Sequence, residues 1–195
     1  MAVYTKLSEK SLKEFLQKYD KGQLINYKGI QEGIENTNYH IETEKGKFIL
    51  TVYEKRVDEK DLPFFMSVMK NLYDSNFPSP QPIINNNGNY ITEIFGKKAA
   101  MVSFLEGNAK KILDPNDCHK IGIQAGKLHL ITNNLVSKRQ NKLSVDSWKK
   151  IYSKVRNDCT KIHADLNKIV EKNLNEIESN WPKKIPSGII HADLF

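Results

Sequence analysis

Arginine is nearly absent from this chain. It stands only at Arg56, Arg139 and Arg156, so almost all of the 30 basic side chains are lysine. The lysines are spread along the whole length, with no basic run and no aromatic interleaving, and the chain is also rich in Asn and Ile. A formal charge of +7 dispersed in this way reads as a compositional bias. It gives no footprint for a phosphate backbone, and no nucleic-acid partner is expected. Cysteine is scarce too. Cys118 and Cys159 have no metal-ligand spacing, and both lie in helical surroundings. They read as buried structural thiols in a reducing compartment. Long apolar runs are missing. The N-terminus has no signal-like stretch, and no window approaches the ~18 apolar residues of a membrane span. The expectation is a soluble cytoplasmic protein with no membrane partner. Hydrophobic residues make up 39% of the 195 and charged residues 27%, enough for a core in one domain or one and a half.

The pattern that is present divides the chain. Ser8 is placed to cap a first helix with an apolar stripe of Leu12, Phe15, Leu16 and Tyr19, ended by Gly22. Leu24-Ile25, Tyr39 to Ile41 and Phe48 to Tyr53 read as a three-stranded antiparallel meander, with Glu44-Lys45-Gly46 as a turn. Asp58 to Tyr73 returns to helical period, with Pro63 in the first turn where its missing N–H costs nothing. Asn85 to Asn89 reads as a hairpin turn between Pro82 to Ile84 and Tyr90 to Phe95, and Ala99 to Leu105 as a further apolar strand. The spacing predicts a mixed first part, residues 1–105, with five strands and one helix between the third and fourth. Residues 106–195 are mainly helical. Asp114-Pro115 opens one helix, and Asp146 to Trp181 carries one long stripe that Pro182 stops. On the helix after Asp114, Gly122, Gly126 and His129 read as close packing beside a satisfied core histidine.

His-Ala-Asp-Leu occurs twice, at 163–166 and 191–194. The first copy falls inside the long stripe, which would point Asp165 along a helix surface into water. Val170, five residues later, ligates no metal. The second copy follows Ser187-Gly188-Ile189-Ile190, a short apolar run that reads as a buried strand. A strand end is where a loop aims a carboxylate into a cleft. Between the first two strands, the segment from Gly29 to Asn38 can lay backbone N–H groups over phosphates, or be an ordinary β-turn. It has neither G-x-G-x-x-G nor the Walker lysine. Met101 to Gly107 is either a hinge whose backbone pairs with adenine or a plain edge strand.

Taken in order, these features resemble the aminoglycoside-phosphotransferase-like kinases of the protein-kinase-like superfamily, and within it the bacterial homoserine kinases. The resemblance is carried by Gly33-Ile34-Glu35-Asn36-Thr37-Asn38-Tyr39 and Ile49 to Val57. It continues through Asp61-Leu62-Pro63-Phe64-Phe65, Ser103-Phe104-Leu105-Glu106-Gly107, Leu143 to Trp148 and Gly188 to Phe195. It implies an α+β fold: an N-terminal nucleotide-binding lobe with a five-stranded antiparallel sheet plus helix, followed by an incomplete helical C-terminal lobe. The activity implied is transfer of the ATP γ-phosphoryl group to the side-chain hydroxyl of L-homoserine, on the route to threonine, with Mg²⁺. Asp193 would be the catalytic aspartate, with His191 supporting its loop. Gly33, Asn36, Thr37 and Asn38 would cover the phosphates, and Ser103, Phe104 and Leu105 would hold adenine.

Two departures stand out. Kinase-like folds usually carry a lysine on the third strand for the α/β-phosphates. The corresponding residue here is Thr51, so Lys55 or Arg56 either supplies the charge or is a solvated strand end. The Asn and later Asp that the family uses for Mg²⁺ are expected beyond residue 195. The chain is therefore read as an N-terminal fragment without activity of its own. Other acceptors (choline, ethanolamine, a sugar, an aminoglycoside) and a non-catalytic nucleotide-binding domain remain alternatives at this point.

Overall fold

The computed structural model describes residues 3–32, 35–55, 57–108, 110 and 112–192. They pack as two units. One comprises the chain up to Lys138 together with the segment from Gly188 onward; the other is Arg139–Ser187. No helix among the described residues is long and apolar enough to cross a membrane.

In the larger unit, α1 (Glu9–Leu16) begins at Ser8, whose hydroxyl accepts from Ser11 N–H while the Ser11 hydroxyl accepts from Ser8 N–H. This reciprocal cap satisfies two amides that the helix leaves bare. At the other end, Asn86 N–H donates to Lys18 C=O at 2.8 Å and Asn86 Nδ2 to Gln17 C=O at 3.1 Å. The Asn85–Asn89 turn thus closes over the end of α1. Gly22 reverses the chain with φ 75°, and a Cβ there would stand 2.9 Å from Glu44 Cβ.

Five antiparallel strands follow: β1 (Leu24–Ile30), β2 (Thr37–Thr43), β3 (Gly46–Val52), β4 (Ile91–Ile94) and β5 (Lys97–Ser103). Their order across the sheet is β1-β2-β3-β5-β4. Alternation gives each strand two faces. Tyr39, Ile41, Phe48, Leu50, Val52, Ala99 and Met101 face α1 and form one core with Leu12, Phe15, Leu16 and Tyr19. Asn38, His40, Ile49, Thr51, Ala100 and Val102 take the opposite face. There Ala100 is buried, and the other five are only half-buried. At about 25 cal/mol per Å² of apolar surface, the α1 face carries most of the burial that holds this unit together.

The helix α2 (Leu62–Asp74) follows a single 3₁₀ turn capped by Asp58, and it packs against α3 (Pro115–Thr132). The Asp114 and Asp117 side chains cap the first turn of α3 reciprocally. Three expectations change in this unit. Pro82 to Ile84 does not pair with residues 90–95 as a hairpin. Instead it lies along β5 beyond the end of β4, through the Pro82–Val102 bridge and Ile83 N–H to Met101 C=O. Proline cannot donate to a ladder, which limits that pairing to isolated bonds. Gly122 and Gly126 show no close packing, since a Cβ on either would meet nothing within 4 Å, and His129 is exposed. Cys118 is exposed; only Cys159 is buried.

The smaller unit is a helical hairpin. The long stripe is two helices, α4 (Val145–Ile162) and α5 (Leu166–Asn180). His163 turns to extended backbone between them, and Asp165 N–H donates to His163 Nδ1 at 3.2 Å. The first His-Ala-Asp-Leu copy is therefore a helix-hairpin turn, not a helix surface. The two helices are joined by Trp148 edge-on to Trp181 (5.6 Å between centroids), by Tyr152 OH to Asn167 Oδ1 (2.7 Å) and by Arg156 Nε to Glu171 Oε1 (2.7 Å). Val155, Ile162 and Ile169 stay exposed along the stripe.

Candidate functional site

The residues singled out between β1 and β5 sort onto the two faces of the sheet. On the face away from α1, the Thr51 hydroxyl donates to Asn38 Oδ1 at 2.8 Å across a β3–β2 register pair. His40 and Phe104 meet edge-to-face on the same side, their ring centroids 4.8 Å apart. Tyr53 continues this face, and burial pushes its phenol up to about 12, so it stays neutral. The result is a half-open surface of neutral polar and aromatic groups, suited to a flat ring and to hydrogen bonds rather than to a charge.

Its margin is the end of β5 and the residues that follow it. Ser103 exchanges two bonds with Gln81: its N–H donates to Gln81 C=O at 2.9 Å and its hydroxyl accepts from Gln81 N–H at 2.8 Å. Phe104 N–H donates to Lys47 C=O at 3.0 Å. Leu105 is half exposed and lines an open cleft of about 510 Å³ with Tyr73, Phe77 and Pro78. Ser103 and Phe104 are thus tied to two neighbouring chain segments before the backbone leaves the sheet.

Thr37 takes the other face. It is fully buried at the start of β2, directly after Asn36. Its hydroxyl accepts from Tyr4 N–H (3.0 Å) and Thr5 N–H (3.1 Å) and donates to Glu54 Oε1 (2.8 Å). The Thr5 hydroxyl also donates to Glu54 Oε1 at 2.6 Å, and Lys97 pairs with Glu54 Oε2 while donating to Thr5 Oγ1 at 2.7 Å. Glu54 N–H donates to Asn36 Oδ1 at 3.3 Å. Burial of this carboxylate works to raise its pKa. The bonds from Lys97, Thr5 and Thr37, with the Lys97 charge, outweigh burial and hold it below the usual carboxylate range. Sequence reading passed over Glu54 and Lys97 as functional groups. Glu54 lies in the Tyr-Glu-Lys-Arg block that carries the family resemblance, which was its only signal; nothing local marks Lys97.

Lys55 is exposed in the turn after β3. Gly33, Arg56 and Asp193 lie outside the described residues. His191 is exposed, and Ala192 beside it has φ 65°, a left-handed conformation uncommon for a residue with a side chain. The expected buried strand before His191 is not formed. Residues 186–191 carry no strand, and Ile190 is 59% exposed. A strand exists only by pairing, and no described segment pairs with this one. Among the described residues no three His, Cys, Asp or Glu side chains converge, so they offer no ligand set for Mg²⁺.

The chain is similar along its whole length to homoserine kinases. It is 41% identical over 195 residues to that of Beijerinckia indica subsp. indica, 42% to that of Bartonella tribocorum and 40% to that of Agrobacterium fabrum. In each case it covers all of this chain but 61% of the relative, so the chain spans about three fifths of the length of the curated relatives it matches. Among solved structures it resembles spectinomycin phosphotransferase in complex with ADP and spectinomycin (TM-score 0.67, 14% identity, 97% of this chain and 64% of that one). The AMP-bound complex of spectinomycin phosphotransferase also matches (TM-score 0.56, 17% identity, 91% and 60%). At these identities the likeness is one of fold, and it agrees with the kinase-like sheet and helices described above. The family model described as the phosphotransferase enzyme family matches residues 26–195, and this chain belongs to that family.

Proposed function

We propose that this chain is the N-terminal part of an ATP-dependent kinase that phosphorylates the side-chain hydroxyl of L-homoserine in the cytoplasm, a step toward threonine. The observation that carries the reading is identity of 40–42% to homoserine kinases maintained over all 195 residues. On this reading, residues 1–105 are the nucleotide-binding lobe and 106–195 open the helical lobe. Adenine lies against Ser103, Phe104 and Leu105. Gly33, Asn36, Thr37 and Asn38 meet the phosphates, Thr51 orients Asn38, and Lys55 or Arg56 supplies positive charge.

The transfer itself asks little covalent chemistry of the protein. The acceptor oxygen attacks the γ-phosphorus, the bond from that phosphorus to the β–γ bridging oxygen breaks, and ADP leaves. The acceptor proton passes to Asp193, whose loop His191 supports. Positioning and charge neutralisation supply the rate. Mg²⁺, when bound, would neutralise phosphate charge. The described residues offer it no ligand set.

The test is an ADP-release assay with a form of the protein as long as its relatives. It would be offered L-homoserine, choline, ethanolamine, a hexose and an aminoglycoside in parallel. Turnover with homoserine at a kcat/KM at least about a hundredfold above the others is expected, since a site built for an amino acid's charged groups discriminates at that scale or more. Equal or better turnover with another acceptor overturns the assignment. The 195-residue chain alone is expected to give no homoserine-dependent turnover.

A further inference from the structure

We propose that Glu54 and Lys97 are positioning residues for nucleotide binding: their ion pair fixes Asn36, the last residue before β2, and Thr37, its first, where these meet the phosphates. The inference rests on the kinase reading above and adds two residues to it.

Four separate segments converge on Glu54. They are the N-terminal stretch through Thr5, the start of β2 through Thr37, the chain just after β3 through Glu54 itself, and the start of β5 through Lys97. The bonds form a closed set. The Thr37 hydroxyl uses its one hydrogen on Glu54 and its oxygen on two backbone amides. The Thr5 hydroxyl gives its hydrogen to Glu54 and receives one from Lys97. Glu54 holds Thr37 by its side chain and Asn36 by its backbone N–H. Its side chain is 11% exposed, so water does not readily replace these partners. A network satisfied at every atom is rigid, and a half-satisfied one is costly, which makes the geometry of the connection before β2 depend on this pair. The faces matter as well. Lys97 shares the α1 face with Thr37, opposite Thr51 and Asn38, so it acts on the phosphate-binding segment from behind. It does not replace the lysine missing from the third strand.

Positioning and simple electrostatics predict different signs. If the pair mattered only through its field, Glu54→Gln would leave an unbalanced cation and strengthen ATP binding, while Lys97→Met would leave an unbalanced anion and weaken it. If the pair positions Asn36 and Thr37, both substitutions weaken ATP binding.

The experiment measures kcat, ATP KM and homoserine KM for these variants in the form as long as its relatives. Thr5→Val and Thr5→Ser serve as milder partners. Expected is a rise in ATP KM of about tenfold for Glu54→Gln and for Lys97→Met, the scale of one charge-assisted hydrogen bond. The double variant should be no worse than either single, because the two residues act as one unit. Homoserine KM and kcat at saturating ATP should stay within about twofold, a split that a general loss of packing does not produce. Thr5→Ser should keep the parent ATP KM, while Thr5→Val raises it. Unchanged ATP KM in folded variants, or tighter ATP binding by Glu54→Gln, overturns the proposal. If the unsubstituted protein neither binds nor turns over ATP, the kinase reading fails first and the positioning role falls with it.

Discussion

The Thr51 hydroxyl donates to Asn38 Oδ1 at 2.8 Å, a neutral pair between the third strand and the second. The pair ties β3 to β2 on the half-open face of the sheet. Thr51→Val keeps the shape and removes the donor. It should cost about 1 kcal/mol of stability, the net worth of one such bond. It should also raise ATP KM a few-fold by freeing Asn38 to rotate. Urea unfolding and ATP titration check the two effects separately; an unchanged ATP KM would show that Asn38 needs no such restraint.

Glu54 makes stability depend on acid. Its folded pKa lies below the ordinary carboxylate value of 4.5. The stabilisation is therefore fully present above the unfolded value and is lost as pH falls through the folded one. Between pH 6 and 3, Glu54→Gln should show a shallower loss of stability than the parent. Matching slopes in urea midpoints across that range would mean that Glu54 is not the group responsible.

Tyr39 carries a second buried tie to the N-terminal segment. Its hydroxyl accepts from Leu7 N–H at 2.9 Å and donates to Thr5 C=O at 3.0 Å. Tyr39→Phe leaves both backbone groups buried without that partner and should cost about 2–4 kcal/mol. Thermal unfolding reads the loss. Hydrogen exchange should localise it, with faster exchange at Leu7 than at the β3–β5 ladder.

Lys55 is exposed beside the end of β3, and Arg56 follows it in sequence. If either supplies the charge that Thr51 lacks, replacing both by Met should raise ATP KM about tenfold, and Lys55→Met by itself should leave stability within ~0.5 kcal/mol, as for most surface substitutions. A double variant with the parent ATP KM would send the search for that charge elsewhere.

Local chemistry was legible where it was self-contained. Ser8 caps α1 as its position suggested, and the stripe from Leu12 to Tyr19 is the stripe that meets the sheet. The break at His163 was not legible. The apolar spacing continues across it, no Gly or Pro marks it, and Asp165 makes no side-chain cap to α5. The pairing of Pro82 with β5 and the absence of a strand before His191 depend on which partners are available, which period does not encode. The Glu54–Lys97 pair spans 43 residues, and its members look locally like any other lysine and glutamate. Of the residues assigned to the site, Asn38 and Thr51 share a face simply because adjacent strands hold them in register. Thr37 sits behind that face because strand alternation puts neighbours on opposite sides.

The Asn86 contacts to Gln17 and Lys18 also set an order of events during synthesis. An eight-residue helix does not persist in water by itself. The cap on its far end comes from a residue 69 positions later in the chain. As the chain emerges from the ribosome, α1 stays unfinished until the asparagine turn has followed it out. The helix that precedes α2 in the chain thus gains its last two hydrogen bonds only after α2 has been made.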